Sequence, residues 1–82
     1  MYIHVGNNKN VRDKDIIAVL DLDTATLSKT TREFLAVADE EGFVETICND
    51  IPKAAVICEL GHNSRILLCP VASSTIKKRY LD

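Results

Sequence analysis

The stretch that decides the fold is AAVICELGHNSRILLCPV, residues 54–71, in which two apolar runs flank a short polar connection. Apolar, partly β-branched runs on either side of a glycine-containing segment predict an antiparallel hairpin, and Gly61–Ser64 is its expected four-residue connection. Both runs are apolar at nearly every position. We therefore expect both faces of the hairpin to be covered, one by a helix and the other by a neighbouring sheet or subunit.

Further strands are predicted before this hairpin. YIHVG (2–6) alternates apolar and polar residues and stops at a Gly-Asn-Asn turn. IIAVLDLD (16–23) is β-branched at its start, and FVETIC (43–48) repeats the strand pattern.

A helix is predicted between these strands, over Thr31–Glu41. Thr30 and Glu33 fit a capping box, and Gly42 supplies the left-handed residue that ends a helix. The apolar residues that fall on one face of this segment are Leu27, Phe34, Val37 and Ala38.

The element order predicts an α+β protein, with a small, mostly antiparallel sheet and two helices in a single domain over residues 1–82. A chain of 82 residues is close to the lower limit for a stable hydrophobic core. Self-association would bury additional apolar area. We therefore expect the domain to assemble through its sheets into a homo-oligomer.

The second predicted helix, Thr75–Leu81, begins after Ser73 or Ser74 as its cap and carries Lys77, Lys78 and Arg79. Consecutive cations on a helix spread around its circumference, so the three cannot share one flat surface. Two interpretations stay open. The cations are either a solvated helix end favoured by the helix dipole or contacts to the phosphates of nucleic acid.

A second basic set would form if the loop with Arg12 and Lys14 met the turn with Lys53. Their acidic neighbours Asp13, Asp15 and Asp50 would largely cancel these charges. The net charge is −2, and acidic residues from Asp39 to Glu45 form a belt in the middle of the chain. This balance argues against a large nonspecific surface for polyanions, but it allows a local basic edge.

The sequence contains no phosphate-binding glycine loop, no HExxH, no GxSxG and no metal-ligand set, so we expect no enzyme activity, no metal and no cofactor. His4 and His62 lie far apart in the chain. Asp21 and Asp23 would present two carboxylates on one strand face. A solvated strand edge is a simpler interpretation of this pair than a cation site.

The cysteines and the start of the chain predict a cytoplasmic protein. The chain has an odd number of cysteines, and none of them forms a CxxC spacing. Each lies in or beside an apolar run, which is typical of buried reduced thiols. The three are Cys48, Cys58 and Cys69. The opening MYIHVGNN has no signal-peptide pattern, and no stretch approaches the length of a membrane span.

The whole layout resembles the bacterial RemA/RemB family of extracellular-matrix (biofilm) regulators, and it looks closer to the RemB branch. The segments that carry the resemblance are YIHVG (2–6), DIIAVLD (15–21), Gly42, PKAAVI (52–57) and LLCPVASSTIKKR (67–79). The resemblance implies a DNA-binding transcriptional regulator that assembles as a ring and bends DNA around a basic outer surface. A ring repeats each contact, so each subunit would need only a few cations.

The basic positions of RemA-like proteins are only partly matched. Asp15 and the pair Asp50-Ile51 stand where the family has arginines, whereas Lys53 and Arg79 fall on basic positions. The expected contacts to double-stranded DNA are therefore Lys53, Lys77, Lys78 and Arg79, with Arg12 and Lys14 as further candidates. The alternative is a ring or dimer scaffold that binds a protein partner through its acidic belt and does not bind DNA. Neither hypothesis involves a membrane or a small-molecule substrate.

Overall fold

The computed structural model describes residues 1–25, 28–47 and 51–81. The elements are β1 Tyr2–Gly6, β2 Lys9–Arg12, a 3-10 turn Asp13–Asp15, β3 Ile16–Asp21, α1 Leu22–Ala25, α2 Lys29–Glu40, β4 Val44–Thr46, β5 Ala54–Leu60, β6 Asn63–Cys69 and α3 Ser73–Leu81. Within the described residues, four strands form a sheet in the order β3-β5-β6-β4, and β1 and β2 form a separate hairpin. The α+β class and the mostly antiparallel pairing are confirmed, although β4 pairs parallel with β6.

The hairpin that the sequence predicts is the β5–β6 pair at the centre of the sheet. Its register runs from Ala54 opposite Cys69 to Leu60 opposite Asn63. The connection is Gly61-His62, two residues rather than the predicted four, because polar residues at the start of β6 continue the backbone ladder. Gly61 has φ +67°, a left-handed conformation typical of such tight turns.

The sheet has a core on each face, as the unbroken apolar runs predict. Alternate residues of β5 project to opposite sides, with Val56 in one core and Ala55 in the other. The first face is covered by the β1–β2 hairpin and α3, and the second by α2. The buried residues that cover the first face are Ile3, Val5, Val11 and Ile76.

Strand β2 and its pairing with β1 are missing from the sequence prediction. Val11 is the only residue of this strand that is buried, so Lys9–Arg12 has no strong apolar pattern. Asn7 and Asn8 have φ 48° and 63°, the left-handed pair that closes a two-residue hairpin. Asparagine tolerates this conformation better than most residues.

Helix α2 begins earlier than predicted. The side-chain oxygen of Ser28 accepts a hydrogen bond from the Thr31 backbone N–H at 3.4 Å, which makes Ser28 the N-cap. The predicted capping box at Thr30 is therefore wrong. Its second member, Glu33, instead forms an ion pair with Lys29 at 3.9 Å.

Gly42 ends α2 as predicted. It has φ +80°, its N–H donates to the Asp39 carbonyl at 3.1 Å, and the Phe43 N–H donates to the Ala38 carbonyl at 2.9 Å. This pair of bonds is the Schellman arrangement, which satisfies the last helical carbonyls and turns the chain into β4.

Helix α3 also begins before the predicted residue. The Ala72 carbonyl accepts hydrogen bonds from the N–H groups of Thr75 and Ile76, both at 3.1 Å. Ala72 is therefore the N-cap. Ser73 and Ser74 lie in the first turn of the helix rather than before it, and Ser73 is buried.

The two aspartates after β3 do not share a strand face. Asp21 ends the strand, and its Oδ1 accepts a hydrogen bond from the Asp23 N–H at 2.9 Å, at the start of α1. The prediction of a strand over 16–23 with paired carboxylates is therefore wrong. The carboxylate of Asp21 satisfies a free N–H group of a helix start.

Candidate nucleic-acid interface

Helix α3 points its three cations in three directions. Ile76 is fully buried, which identifies the side of the helix that faces the core. At about 100° per residue, Lys77 and Arg79 lie on opposite flanks of this side, and Lys78 points away from it. The sequence-based expectation of a spread around the helix agrees with this geometry.

The two flanking cations have different surroundings. Arg79 Nη1 donates a hydrogen bond of 2.7 Å to the backbone carbonyl of His4 in β1. Lys77 lies on the other flank, where it lines a groove along β3. All three cations are exposed, and none forms an ion pair with a carboxylate of the described residues.

Arg12 and Lys14 have acidic neighbours. Arg12 Nε lies 3.9 Å from Asp15 Oδ2, and both cations line a shallow depression together with Asp15 and Glu59. The field of these carboxylates offsets the positive charge. Of the three acidic neighbours expected to cancel this set, Asp15 lies beside Arg12, Asp13 lies 3.5 Å from the N-terminal amine of Met1, and Asp50 lies outside the described residues.

Lys53 lies at the other end of β5 from this depression. Its N–H donates to the Cys69 carbonyl at 2.8 Å, and its carbonyl accepts from the Leu22 N–H at 3.1 Å. Strand β5 spans about 20 Å at the usual rise per residue. Within one subunit, Lys53 therefore does not lie beside Arg12 and Lys14, and the second basic set does not form.

One group of four acidic residues lies on the far side of the sheet from α3. Glu33, Asp39, Glu40 and Glu41 are carried by α2 and its last turn. Glu45 does not join them, because it projects from β4 towards the β1–β2 hairpin and pairs with Lys9 at 3.4 Å. The predicted belt from Asp39 to Glu45 is therefore divided by the sheet.

Two of the three cysteines are buried free thiols, as predicted, and Cys48 lies outside the described residues. Burial raises the pKa of the Cys58 thiol, and the Asp15 carboxylate adds to this effect. The described part of the chain contains no group of three or more His, Cys, Asp or Glu residues that could hold a metal. None of its helices is long and apolar enough to cross a membrane.

Two apolar surfaces were not identified from the sequence. The first, here called the β3–α3 groove, has a volume of about 370 Å³ and is lined by Ile16, Ile17, Ala18, Val19, Lys77 and Tyr80. Ile17 is 62% exposed because the pairing of β3 with β5 shifts by one residue between Ile16 and Ala18. No periodicity in the sequence reveals this bulge.

The second apolar surface, here called the α2 surface, consists of Phe34, Val37 and Phe43, with Glu33 and Glu41 at its rim. The sequence placed Phe34 and Val37 on one helical face, but among the described residues of that face only Ala38 is buried. Phe34 and Val37 are 49% and 57% exposed. Leu27 lies outside the described residues.

Comparison with known proteins identifies the family. A sequence profile of the RemA-like family, described as "Extracellular matrix regulatory protein A-like", matches residues 2–80. The chain is also 34% identical over 79 residues to the extracellular matrix regulatory protein B of Bacillus subtilis (strain 168), an alignment that covers 96% of this chain and 89% of that protein. The match spans both cores and all three helices, so this chain belongs to the RemA-like family of extracellular matrix regulatory proteins and is similar to its RemB branch.

Proposed function

We propose that this chain is a DNA-binding transcriptional regulator of the extracellular-matrix (biofilm) type that acts in the cytoplasm as a homo-oligomeric ring. Its family supports the regulatory role. The observation that carries the DNA contact is α3, which holds Lys77, Lys78 and Arg79 exposed and without an ion-pair partner among the described residues. A helix in contact with the core is a rigid support for cations that bind phosphates.

The different charges of the two helices support one orientation on DNA. Helix α2 with its C-cap carries four carboxylates against two cations, Lys29 and Arg32, and would repel phosphates, whereas α3 carries three cations and no carboxylate. With a net charge of −2, a single subunit would bind DNA weakly. A ring repeats the α3 cations around its circumference, and such multivalency can raise avidity by about 10²–10⁴-fold.

The remaining candidate residues have secondary roles in this proposal. Lys53 is exposed at the start of β5. It would contact DNA only if the DNA backbone passes both ends of the sheet. Arg12 and Lys14 contribute less, because Asp15 and Glu59 share their depression.

The test is a titration of fluorescent duplex DNA with the protein, after its mass has been measured by light scattering coupled to size exclusion. We expect binding at about 50 mM salt and a loss of affinity by about 10³-fold or more at 200 mM, if six or more phosphates are contacted per ring. Replacing Lys78 and Arg79 together by glutamine should flatten the salt dependence. Adding Lys77→Gln should flatten it further, and the mass from light scattering shows whether this triple variant keeps the wild-type oligomer. The matched control is Lys29→Gln, which removes a cation from α2 on the opposite side of the sheet and should leave the titration unchanged.

Two results would contradict the proposal. Binding by the triple variant with an unchanged salt slope would exclude α3 as the contact. An oligomer that ignores DNA at both salt concentrations would instead favour the alternative function, a scaffold that binds a protein partner through the acidic α2 side. That alternative has its own support in the exposed apolar side chains beside Glu33 and Glu41.

A further inference from the structure

We propose that copies of this chain associate head to tail, with the α2 surface of one subunit docked on the β3–α3 groove of the next. This inference rests on the oligomer of the proposed function and specifies the contact that builds it. The two surfaces contain the most exposed of the large apolar side chains on α2 and on β3. Val37 is 57% exposed and Ile17 is 62% exposed.

Each surface is a depression lined by exposed apolar side chains. Phe34 and Val37 line the first and are 49% and 57% exposed. Ile17 and Tyr80 line the second and are 62% and 46% exposed. Contact between the two surfaces would remove these side chains from water, as in the core of a subunit interface.

The rims of the two surfaces carry opposite charge. Glu33 and Glu41 border the α2 surface, where Lys29 lies 3.9 Å from Glu33 and leaves Glu41 as the carboxylate without an ion-pair partner among the described residues. Lys77 borders the β3–α3 groove. Pairing two α2 surfaces would bring carboxylates together, and pairing two grooves would bring lysines together. Contact between unlike surfaces brings opposite charges together, so complementarity selects the head-to-tail pairing.

The positions of the two surfaces determine what this pairing builds. The groove follows β3 at one edge of the sheet, and Phe43 leads into β4 at the other edge. Helices α3 and α2 also lie on opposite faces of that sheet. A contact between different surfaces at opposite ends of a subunit cannot close as a twofold dimer, and it propagates into a ring or a filament.

The test uses two complementary variants and their mixture. Ile17→Glu places a charge in the groove and Val37→Glu places one on the α2 surface, and both side chains are more than half exposed, so each variant should fold. We expect each variant alone to be monomeric by light scattering. Their equimolar mixture should form a one-to-one heterodimer of about twice the 9.1 kDa chain mass, because one intact pair of surfaces remains.

The matched control is Ile51→Glu, a substitution at an 81% exposed apolar residue outside both surfaces, which should keep the wild-type mass. If either single variant keeps the wild-type mass, or if the mixture stays monomeric, the head-to-tail contact is wrong. A wild-type chain that is monomeric at all concentrations would overturn both this contact and the ring of the proposed function. A wild-type oligomer that both variants leave intact would overturn the contact alone.

A milder set of changes covers the case in which a variant fails to fold. Lys77→Glu should raise the dissociation constant of the oligomer by about two- to fivefold per contact, as for an exposed ion pair. Combining it with Glu33→Lys and Glu41→Lys in the same chain should restore the wild-type value. Failure of this reversal to restore assembly would contradict the charge pairing.

Discussion

Arg79 Nη1 donates a 2.7 Å hydrogen bond to the backbone carbonyl of His4 and so joins the last helix to the first strand, 75 positions away in sequence. Strand β1 and helix α3 cover the same face of the sheet. Of the three consecutive cations, Arg79 therefore has a structural contact as well as a proposed place at the DNA. Lys78 differs, because it points away from the core.

Replacing Arg79 by glutamine should lower the free energy of unfolding by about 1 kcal/mol, because it removes a hydrogen bond from a charged donor at the surface. Replacing Lys78 by glutamine should change it by less than about 0.5 kcal/mol. Urea unfolding followed by circular dichroism measures both values. Equal effects of the two substitutions would show that the His4 contact adds nothing to stability.

This difference between neighbouring cations could not be read from the sequence. Lys77, Lys78 and Arg79 are alike in charge, and their roles depend on which side of α3 is buried. That side is fixed by Ile76, which packs with residues from distant strands. Arg79 donates to a backbone carbonyl. Every residue has such a carbonyl, so the residue type of His4 does not reveal the contact.

Replacing Gly6 by alanine should destabilise the protein more than the same change at Gly42 or Gly61. Gly6 has φ +117°, and a Cβ atom built there would lie 2.7 Å from Cγ of Pro70 and 2.9 Å from its Cδ. Gly6→Ala therefore adds both backbone strain and overpacking, and we expect a loss of about 2–4 kcal/mol in the free energy of unfolding.

Gly61→Ala is the matched control for Gly6. Gly61 also has positive φ, at +67°, but nothing lies within 4 Å of the added Cβ. Its cost should be limited to the left-handed conformation, about 1 kcal/mol. Urea midpoints of the two variants measured together test the difference, and a Gly61 variant as unstable as the Gly6 variant would exclude Pro70 as the cause.

The start of α2 offers a test of the corrected helix cap. Ser28→Ala removes the oxygen that accepts from the Thr31 N–H and should cost about 0.5–1 kcal/mol, at the lower end for a bond as long as 3.4 Å. Thr30→Ala, at the residue that the sequence pattern favoured, should cost less or even stabilise the helix, since alanine has the higher helix propensity. Thermal unfolding of both variants decides between the two caps, and a larger loss at Thr30 would restore the capping box.

The sequence predicted best where one pattern dominates. The β5–β6 runs are apolar on both faces, and they do form the centre of a sheet with two covered faces. Prediction from the sequence failed for β2, a mostly polar strand without an apolar pattern. It also failed at Ile17, where the pairing of β3 with β5 shifts by one residue. Phe34 and Val37 follow a helical period but remain exposed, because a period shows that residues share a face and not that the face is buried.

Cys58 should make the stability of this protein fall in alkaline solution. Burial raises the pKa of its thiol, so the unfolded chain releases this proton at lower pH than the folded chain. Its contribution to the free energy of unfolding is complete below the ordinary thiol pKa of about 8.5 and is lost as pH rises through the folded-state value. Urea midpoints between pH 8 and 10 should therefore fall more steeply for wild type than for Cys58→Ala, although that variant starts from lower stability because of its cavity. Parallel curves for the two proteins would show that Cys58 does not titrate differently in the folded state.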